Sequence, residues 1–244
     1  MKQNKYDDER FFNKYSQMER SRKGLKGAGE WHTLAKMLPD FRGKRVLDLG
    51  CGFGWHCRYA AENGALSVLG LDLSEKMLER ARRETSSPVI SYCRRPIEDF
   101  DFPENAFDLV LSSLAFHYIA SFDDICRKVS RTLTVGGDFV FSAEHPVFTA
   151  QGSQEWLRDV SGTPICWPVD HYFEEGVRTA NFLGEEVTKY HRTLTTYISG
   201  LIRNGFELTG FAEPKPDSQL LETVPGMRDE LRRPMMLILA ARKK

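Results

Sequence analysis

Short apolar runs alternate with amphipathic stretches over the first 145 residues. Arg45-Val46-Leu47-Asp48-Leu49 is a brief apolar run that ends in glycines, the pattern of a buried strand. Residues 55–63 read as a helix stopped near Asn63-Gly64, and residues 66–72 (LSVLGLD) as a second strand. Ser74 is placed to cap the next helix, whose apolar face is Met77, Leu78 and Ala81. Residues 88–92 predict a third strand and residues 106–113 (AFDLVLSS) a fourth. Ser121 and Asp124 resemble a capping box, with Ile125, Val129 and Leu133 inside the helix that follows. Gly136-Gly137 then turns the chain into a fifth strand, Phe139–Ala143. Strands alternating with helices predict a parallel sheet covered by helices on both faces.

Both flanks differ from this rhythm. Upstream, Phe11, Phe12, Tyr15 and Met18 recur at helical spacing and predict one amphipathic helix over residues 8–21. Downstream, residues 145–190 carry prolines, glycines and aromatics with weak periodicity. This length predicts either a functional cap or an irregular insertion. The α/β pattern resumes with a helix at 194–203 and a strand at 206–212. A proline- and charge-rich connection at 214–233 leads to a last apolar strand at 234–241. We therefore expect a single domain over 1–244, with an N-terminal helical lid (1–40) and a cap (145–190).

Composition narrows the classes of function. With 41% hydrophobic and 28% charged residues the chain can build a sizeable core without metal or disulfides. Its 34 basic and 34 acidic side chains cancel, so the general attraction to phosphate backbone expected of a nucleic-acid binder is missing. No apolar stretch is long enough to span a bilayer, and the charged start lacks a signal-peptide core. Five cysteines without a C-x-x-C pair read as free thiols, and we expect a cytoplasmic protein. No Cys/His cluster has zinc-ligand spacing, so no metal is expected.

The candidate chemistry lies after the first strand, in Gly50-Cys51-Gly52-Phe53-Gly54. Such a turn lets the backbone approach a ligand at the carboxyl end of the sheet. A dinucleotide fingerprint needs a third glycine where Trp55 stands, and no Gly-Lys-Ser/Thr follows as in a phosphate loop. Asp48, just before the turn, would repel phosphate and attract a cation. Asp72 ends the second strand, where a carboxylate can accept hydrogen bonds from ribose hydroxyls. A nucleoside with a positive centre fits both features, and S-adenosylmethionine is such a molecule.

VLDLGCGFG, LGLDLSEKML, FPENAFDLVLSSLAFHYI and LTVGGDFVFS, in that order, resemble a class I S-adenosylmethionine-dependent methyltransferase. The resemblance is to the small-molecule group that includes the ubiquinone and menaquinone biosynthesis enzymes. It is strong over roughly 40–145 and weaker over 190–241. It implies a Rossmann-like, seven-stranded sheet ordered 3-2-1-4-5-7-6 with strand 7 antiparallel. It also implies that Gly50, Cys51, Gly52 and Gly54 line the methionine part of the cofactor, with Asp48 near its amino group. Asp72 would take the ribose, and Leu73 and Met77 the adenine. Pro96 replaces the aspartate common before this site, which leaves the Ile97 backbone and Glu98 as adenine contacts. Ser112, Ser113 and Leu114 would lie where cofactor and acceptor meet. The N-terminal helix would lid the cofactor through Tyr15 and Met18, the same residues that packing alone would use.

His117, after the fourth strand, is the candidate general base, with Tyr118 or His145 as alternatives. The other reading of His117 is a hydrogen-bonded histidine that orders its loop. His145 and His191 read as structural or substrate-orienting. Trp156, Trp167, Tyr172 and Phe173 are either cap core or the wall of an apolar pocket. The expected reaction is methyl transfer to a small molecule by in-line displacement. The strand-four end lacks the Pro-Pro-aromatic signature of amino-methylating nucleic-acid enzymes. An NAD-dependent oxidoreductase and a catalytically silent S-adenosylmethionine-binding protein are the alternatives.

Overall fold

The computed structural model describes residues 4–244. Helices α1 (Glu9–Ser16), α2 (Glu19–Lys23) and α3 (Trp31–Met37) precede the sheet. Then come β1 (Arg45–Leu49), α4 (Trp55–Glu62), β2 (Ser67–Asp72), α5 (Glu75–Arg83), β3 (Ile90–Arg94), β4 (Phe107–Ser113), α6 (Phe122–Thr132) and β5 (Leu133–Glu144). A short α7 (Pro146–Thr149) leads into two hairpins: β6 (Leu157–Arg158) with β7 (Pro164–Cys166), and β8 (Gly176–Phe182) with β9 (Glu185–His191). Helix α8 (Leu194–Arg203), β10 (Phe206–Ala212), α9 (Ser218–Thr223) and β11 (Met236–Lys243) complete the chain.

The main sheet has the order β3-β2-β1-β4-β5-β11-β10. Strands β1 to β5 run parallel, and β11 is antiparallel to both neighbours, β5 and β10. This is the Rossmann-like methyltransferase fold with seven mostly parallel strands that the resemblance implied. A sheet buried on both faces needs apolar side chains in both directions. Leu47 and Leu49 face one core with Phe116, Phe122, Phe139 and Phe141, while Val46 faces the other with Leu34, Cys57 and Leu78.

The predicted caps form. Ser74 Oγ accepts from the Met77 amide at 3.2 Å, and Ser121 Oγ from the Asp124 amide at 3.3 Å. These bonds start α5 and α6 where the chain leaves the sheet. Three expectations need correction. The single helix over 8–21 is two: α1 ends at Ser16, and Met18 is extended (φ −61°, ψ 148°) before α2. The third and last strands lie two residues later than predicted, at 90–94 and 236–243. The stretch 145–190 is not irregular but holds α7 and the two hairpins.

Hairpin β8–β9 escaped detection because its hydrophobic alternation is scrambled. Val177 points outward at 60% exposure, whereas Lys189 is buried at 2%. Its turn, Leu183-Gly184, has positive φ at both positions (58° and 78°), as a two-residue hairpin of the mirror-image kind requires. No helix among the described residues is long and apolar enough to cross a membrane.

Candidate active site

The carboxyl ends of β1, β2, β4 and β5 open into a cavity of about 490 Å³. Its floor is the turn after β1. Gly50 has φ +77°, and a side chain there would bring Cβ within 2.7 Å of the Ala115 Cβ. Gly52 has φ +53°, and a Cβ there would meet nothing within 4 Å. Both glycines therefore hold conformations that side chains disfavour, and Gly52 opens onto free space.

Four of the five backbone donors of this turn are already engaged. The Gly50 and Cys51 amides both donate to the Leu71 carbonyl, at 2.8 and 2.9 Å. The Gly54 amide donates to the Cys51 carbonyl at 2.8 Å. The Gly52 amide donates to Asp72 Oδ2 at 2.8 Å, and the Ser74 amide to Asp72 Oδ1 at 2.9 Å. A diphosphate would thus meet a carboxylate and spent donors. Burial pushes the Asp72 carboxyl up, against the pull of these amides.

The residues fit an adenosyl-sulfonium compound better. Asp72 and Glu98 offer oxygens for hydroxyls and amines, and Leu73, Met77 and Ile97 offer an apolar slot for a flat base. At the other end Arg20 lines the cavity and is held from behind by Glu30, which is 1% exposed. The Arg20 Nη2 to Glu30 Oε1 distance is 3.1 Å, and Ser113 Oγ donates to the same oxygen at 3.2 Å. Burial alone would raise the Glu30 carboxyl, but the Arg20 guanidinium together with hydrogen bonds such as that from Ser113 holds the group below its ordinary value. A cation braced in this way suits an amino-acid carboxylate. Neither Arg20 nor Glu30 was recognised in the sequence: Arg20 lies in the stretch whose apolar spacing reads as packing, and Glu30 in the connection after it, which carries no motif.

Of the expected site residues, Tyr15, Met18, Gly50, Gly52, Asp72, Leu73, Met77, Ile97, Glu98 and His117 line the cavity. Four do not. Asp48 lies beneath the turn at 1% exposure, where Cys57 Sγ donates to its Oδ2 at 3.2 Å and its Oδ1 has no partner. Cys51 is buried under the turn, its sulfur close to any Cβ added at Gly70. Gly54 starts α4 against the Tyr92 ring. Ser112 is fully buried and donates to the Leu49 carbonyl at 2.7 Å, while the next residues, Ser113, Leu114 and Ala115, reach the cavity. One residue along a strand reverses the face.

His117 is 3% exposed, and burial pushes its pKa down to about 4. The Glu144 amide donates to its Nδ1 at 3.4 Å, so the proton of the neutral ring sits on Nε2, 3.8 Å from Glu144 Oε1. At neutral pH it is a hydrogen-bond donor and a weak base. His145 caps α7, with Nδ1 accepting from the Val147 amide at 3.0 Å. His191 is tied to Thr149 Oγ1 at 2.7 Å and to the Tyr172 carbonyl at 2.8 Å. His56 packs on Trp31 and is likewise depressed by burial to about 4.

These two depressed histidines carry a pH dependence. Between pH 6.5 and 4 the unfolded state binds more protons than the folded state, so stability falls as pH falls. Each should contribute about 3 kcal/mol of loss. Urea titrations across this range should show it, with a shallower slope for His56→Gln.

The N-terminal segment and hairpin β8–β9 close over the cavity. Asp7 accepts from Ser74 Oγ at 2.6 Å and from the Lys76 amide at 3.1 Å, which pins the segment beside β2. Lys14 Nζ donates to the Leu183 carbonyl at 2.8 Å, and the Phe11 and Phe182 rings meet edge-on at 5.9 Å. Tyr6 reaches Tyr118, hydroxyl to hydroxyl, at 3.4 Å. Phe182, Val187, Tyr190, Met235 and Met236 are further wall residues that sequence reasoning missed.

Residues 47–141 match the family model described as a methyltransferase domain. A crystal structure of a proposed S-adenosylmethionine-dependent methyltransferase from Listeria monocytogenes is 60% identical. It covers 91% of this chain and 99% of that one, with a TM-score of 0.86. An S-adenosylmethionine-dependent methyltransferase from Mesorhizobium loti is 45% identical, covering 90% and 100%, with a TM-score of 0.83. An uncharacterized protein of Haemophilus influenzae is 35% identical over 98% of this chain and 96% of its own length. The fold, the near-complete overlap and the cavity lead to one assignment: the chain belongs to the S-adenosylmethionine-dependent methyltransferases.

Proposed function

We propose that this methyltransferase acts on a small molecule enclosed between the N-terminal lid and the cap, in the cytoplasm. The observation that carries this reading is the cavity itself. It runs from the glycine turn past His117 to Glu144, and its walls come from the lid, the sheet ends and hairpin β8–β9. An enclosed pocket of this size suits a small ligand and not a nucleic-acid backbone. The free state of all five cysteines supports the compartment. Residues 4–40 act as lid and 145–190 as cap on one domain, residues 1–3 of the expected lid lying outside the described residues.

When bound, S-adenosylmethionine supplies an activated methyl group for in-line displacement by the acceptor atom. Asp72 accepts from the ribose hydroxyls. Leu73, Met77, Ile97 and Glu98 hold the adenine. Gly50 and Gly52 leave room for the methionine part, and Arg20 pairs with its carboxylate. Asp48, Cys51, Gly54 and Ser112 support the turn from beneath and do not touch the cofactor. Tyr15 and Met18 press from the lid and exclude water. Alignment of the two reactants by such a site can contribute roughly 7–11 kcal/mol. His117 donates from Nε2 and orients the reacting end.

Parallel calorimetric titration with S-adenosylhomocysteine and NAD tests the cofactor side. Binding of the former and not of NAD is expected; the reverse would sink the assignment of these residues. His117→Ala should slow turnover about tenfold or more, with S-adenosylhomocysteine affinity changed less than twofold. Unchanged turnover would remove His117 from the reacting centre.

A further inference from the structure

The acceptor end of the cavity holds one carboxylate, Glu144, at the last residue of β5. The surrounding walls are mostly apolar and aromatic, from Ile119, Phe182, Val187, Met235 and Met236, with the rings of Tyr6, Tyr118 and Tyr190 among them. Glu144 is held in place on two sides. Lys189 Nζ lies 2.5 Å from Oε1, and Gln154 Nε2 donates to Oε2 at 2.8 Å. Gln154 Oε1 in turn accepts from Lys189 Nζ at 2.7 Å. His117 Nε2 faces Oε1 across 3.8 Å, beyond hydrogen-bond reach. Burial pushes the Glu144 carboxyl up, but nearby positive charge and the hydrogen bonds from Lys189 and Gln154 together hold it below its ordinary value.

Lys189 lies behind the carboxylate and is not part of the cavity lining. An incoming molecule therefore meets an oxygen acceptor with negative charge. A carboxylate acceptor would be repelled by these oxygens, and a wholly apolar one would desolvate the lone pairs that Lys189 and Gln154 leave open.

We propose that Glu144 selects the methyl acceptor: an amphiphile whose nucleophilic nitrogen or oxygen carries a hydrogen and whose body is apolar. This rests on the reading of the cavity as the methyl-transfer site. As the bond from that atom to the methyl carbon forms, the carbon–sulfur electron pair leaves with sulfur. From an O–H nucleophile Glu144 accepts the proton as that bond forms; an amine attacks as the free base through its lone pair, and the methylated product leaves as an ammonium hydrogen-bonded to Glu144.

The test is calorimetry on the full chain saturated with S-adenosylhomocysteine, using hexylamine, 4-butylphenol and hexanoate as probes. Hexylamine or 4-butylphenol should bind at least roughly tenfold more tightly than hexanoate. Which of the two is tighter assigns nitrogen or oxygen. Glu144→Gln should erase the discrimination. The double variant E144Q/K189M should do the same without leaving a buried lysine unpaired, should the single variant fold poorly. Equal binding of hexanoate, an unchanged ranking in both variants, or no binding of any probe to the loaded protein would overturn the proposal. Loss of S-adenosylhomocysteine binding in the wild type would instead bring down the cofactor reading beneath it.

Discussion

Asp72→Ala should weaken S-adenosylhomocysteine binding about a hundredfold or more. Two charge-assisted hydrogen bonds to ribose hydroxyls are lost, each worth roughly 1.5–3 kcal/mol. The same carboxylate holds the Gly52 and Ser74 amides, at 2.8 and 2.9 Å. Its removal therefore also frees the turn that the cofactor must meet. Asp72→Asn keeps one oxygen acceptor and should lose only about tenfold. Isothermal titration distinguishes the two variants, and a dissociation constant unaffected by alanine would refute the ribose role.

Asp48→Asn should act on stability, with a sign that depends on pH. Burial pushes the Asp48 carboxyl up to about 7 from its ordinary 3.8, against the Cys57 hydrogen bond and with help from Asp72. Between those values the folded state binds more protons than the unfolded state. The stability Asp48 contributes is thus full below about pH 4 and lost as pH rises through 7. The difference amounts to about 4 kcal/mol. Asparagine removes that loss but buries an amide with one orphaned partner, which costs about 1–3 kcal/mol. A net gain of about 2 kcal/mol is expected at pH 8, turning into a loss near pH 4. The acid limb of the variant should also be steeper, because the histidine loss is no longer offset. Urea midpoints at pH 8 and pH 4 read the result, and equal shifts at both would show that Asp48 is ionised throughout.

The legible parts of the molecule were those governed by local periodicity. Val46–Leu49 and Phe139–Ala143 announced buried strands because both faces of a central strand are apolar. Ser74 and Ser121 marked helix starts because an orphan amide needs a nearby oxygen. Asp72 and the glycines stood out because their chemistry is sequential: a strand end and a turn. Ser112 and Asp48 went astray over which face a side chain takes. Position along a strand end does not reveal face until the register is known, and Val46↔Leu109 and Ser112↔Phe141 are tertiary facts.

The acceptor end was hidden for a different reason. In β8 and β9 the buried side includes Ala180, Val187, Lys189 and His191, while Val177 faces outward. A lysine is buried only when a distant carboxylate meets it. That carboxylate, Glu144, is 45 residues away in the chain. Arg20 and Glu30 pair in the same manner at the cofactor end. The chain alone therefore determined the α/β scaffold, its strand-end turn and the family chemistry, since these follow from short-range spacing. Only the folded structure decided which charges are paired, which carboxylates face the cavity and what closes it, because desolvation and long-range ion pairing depend on neighbours the sequence does not put side by side.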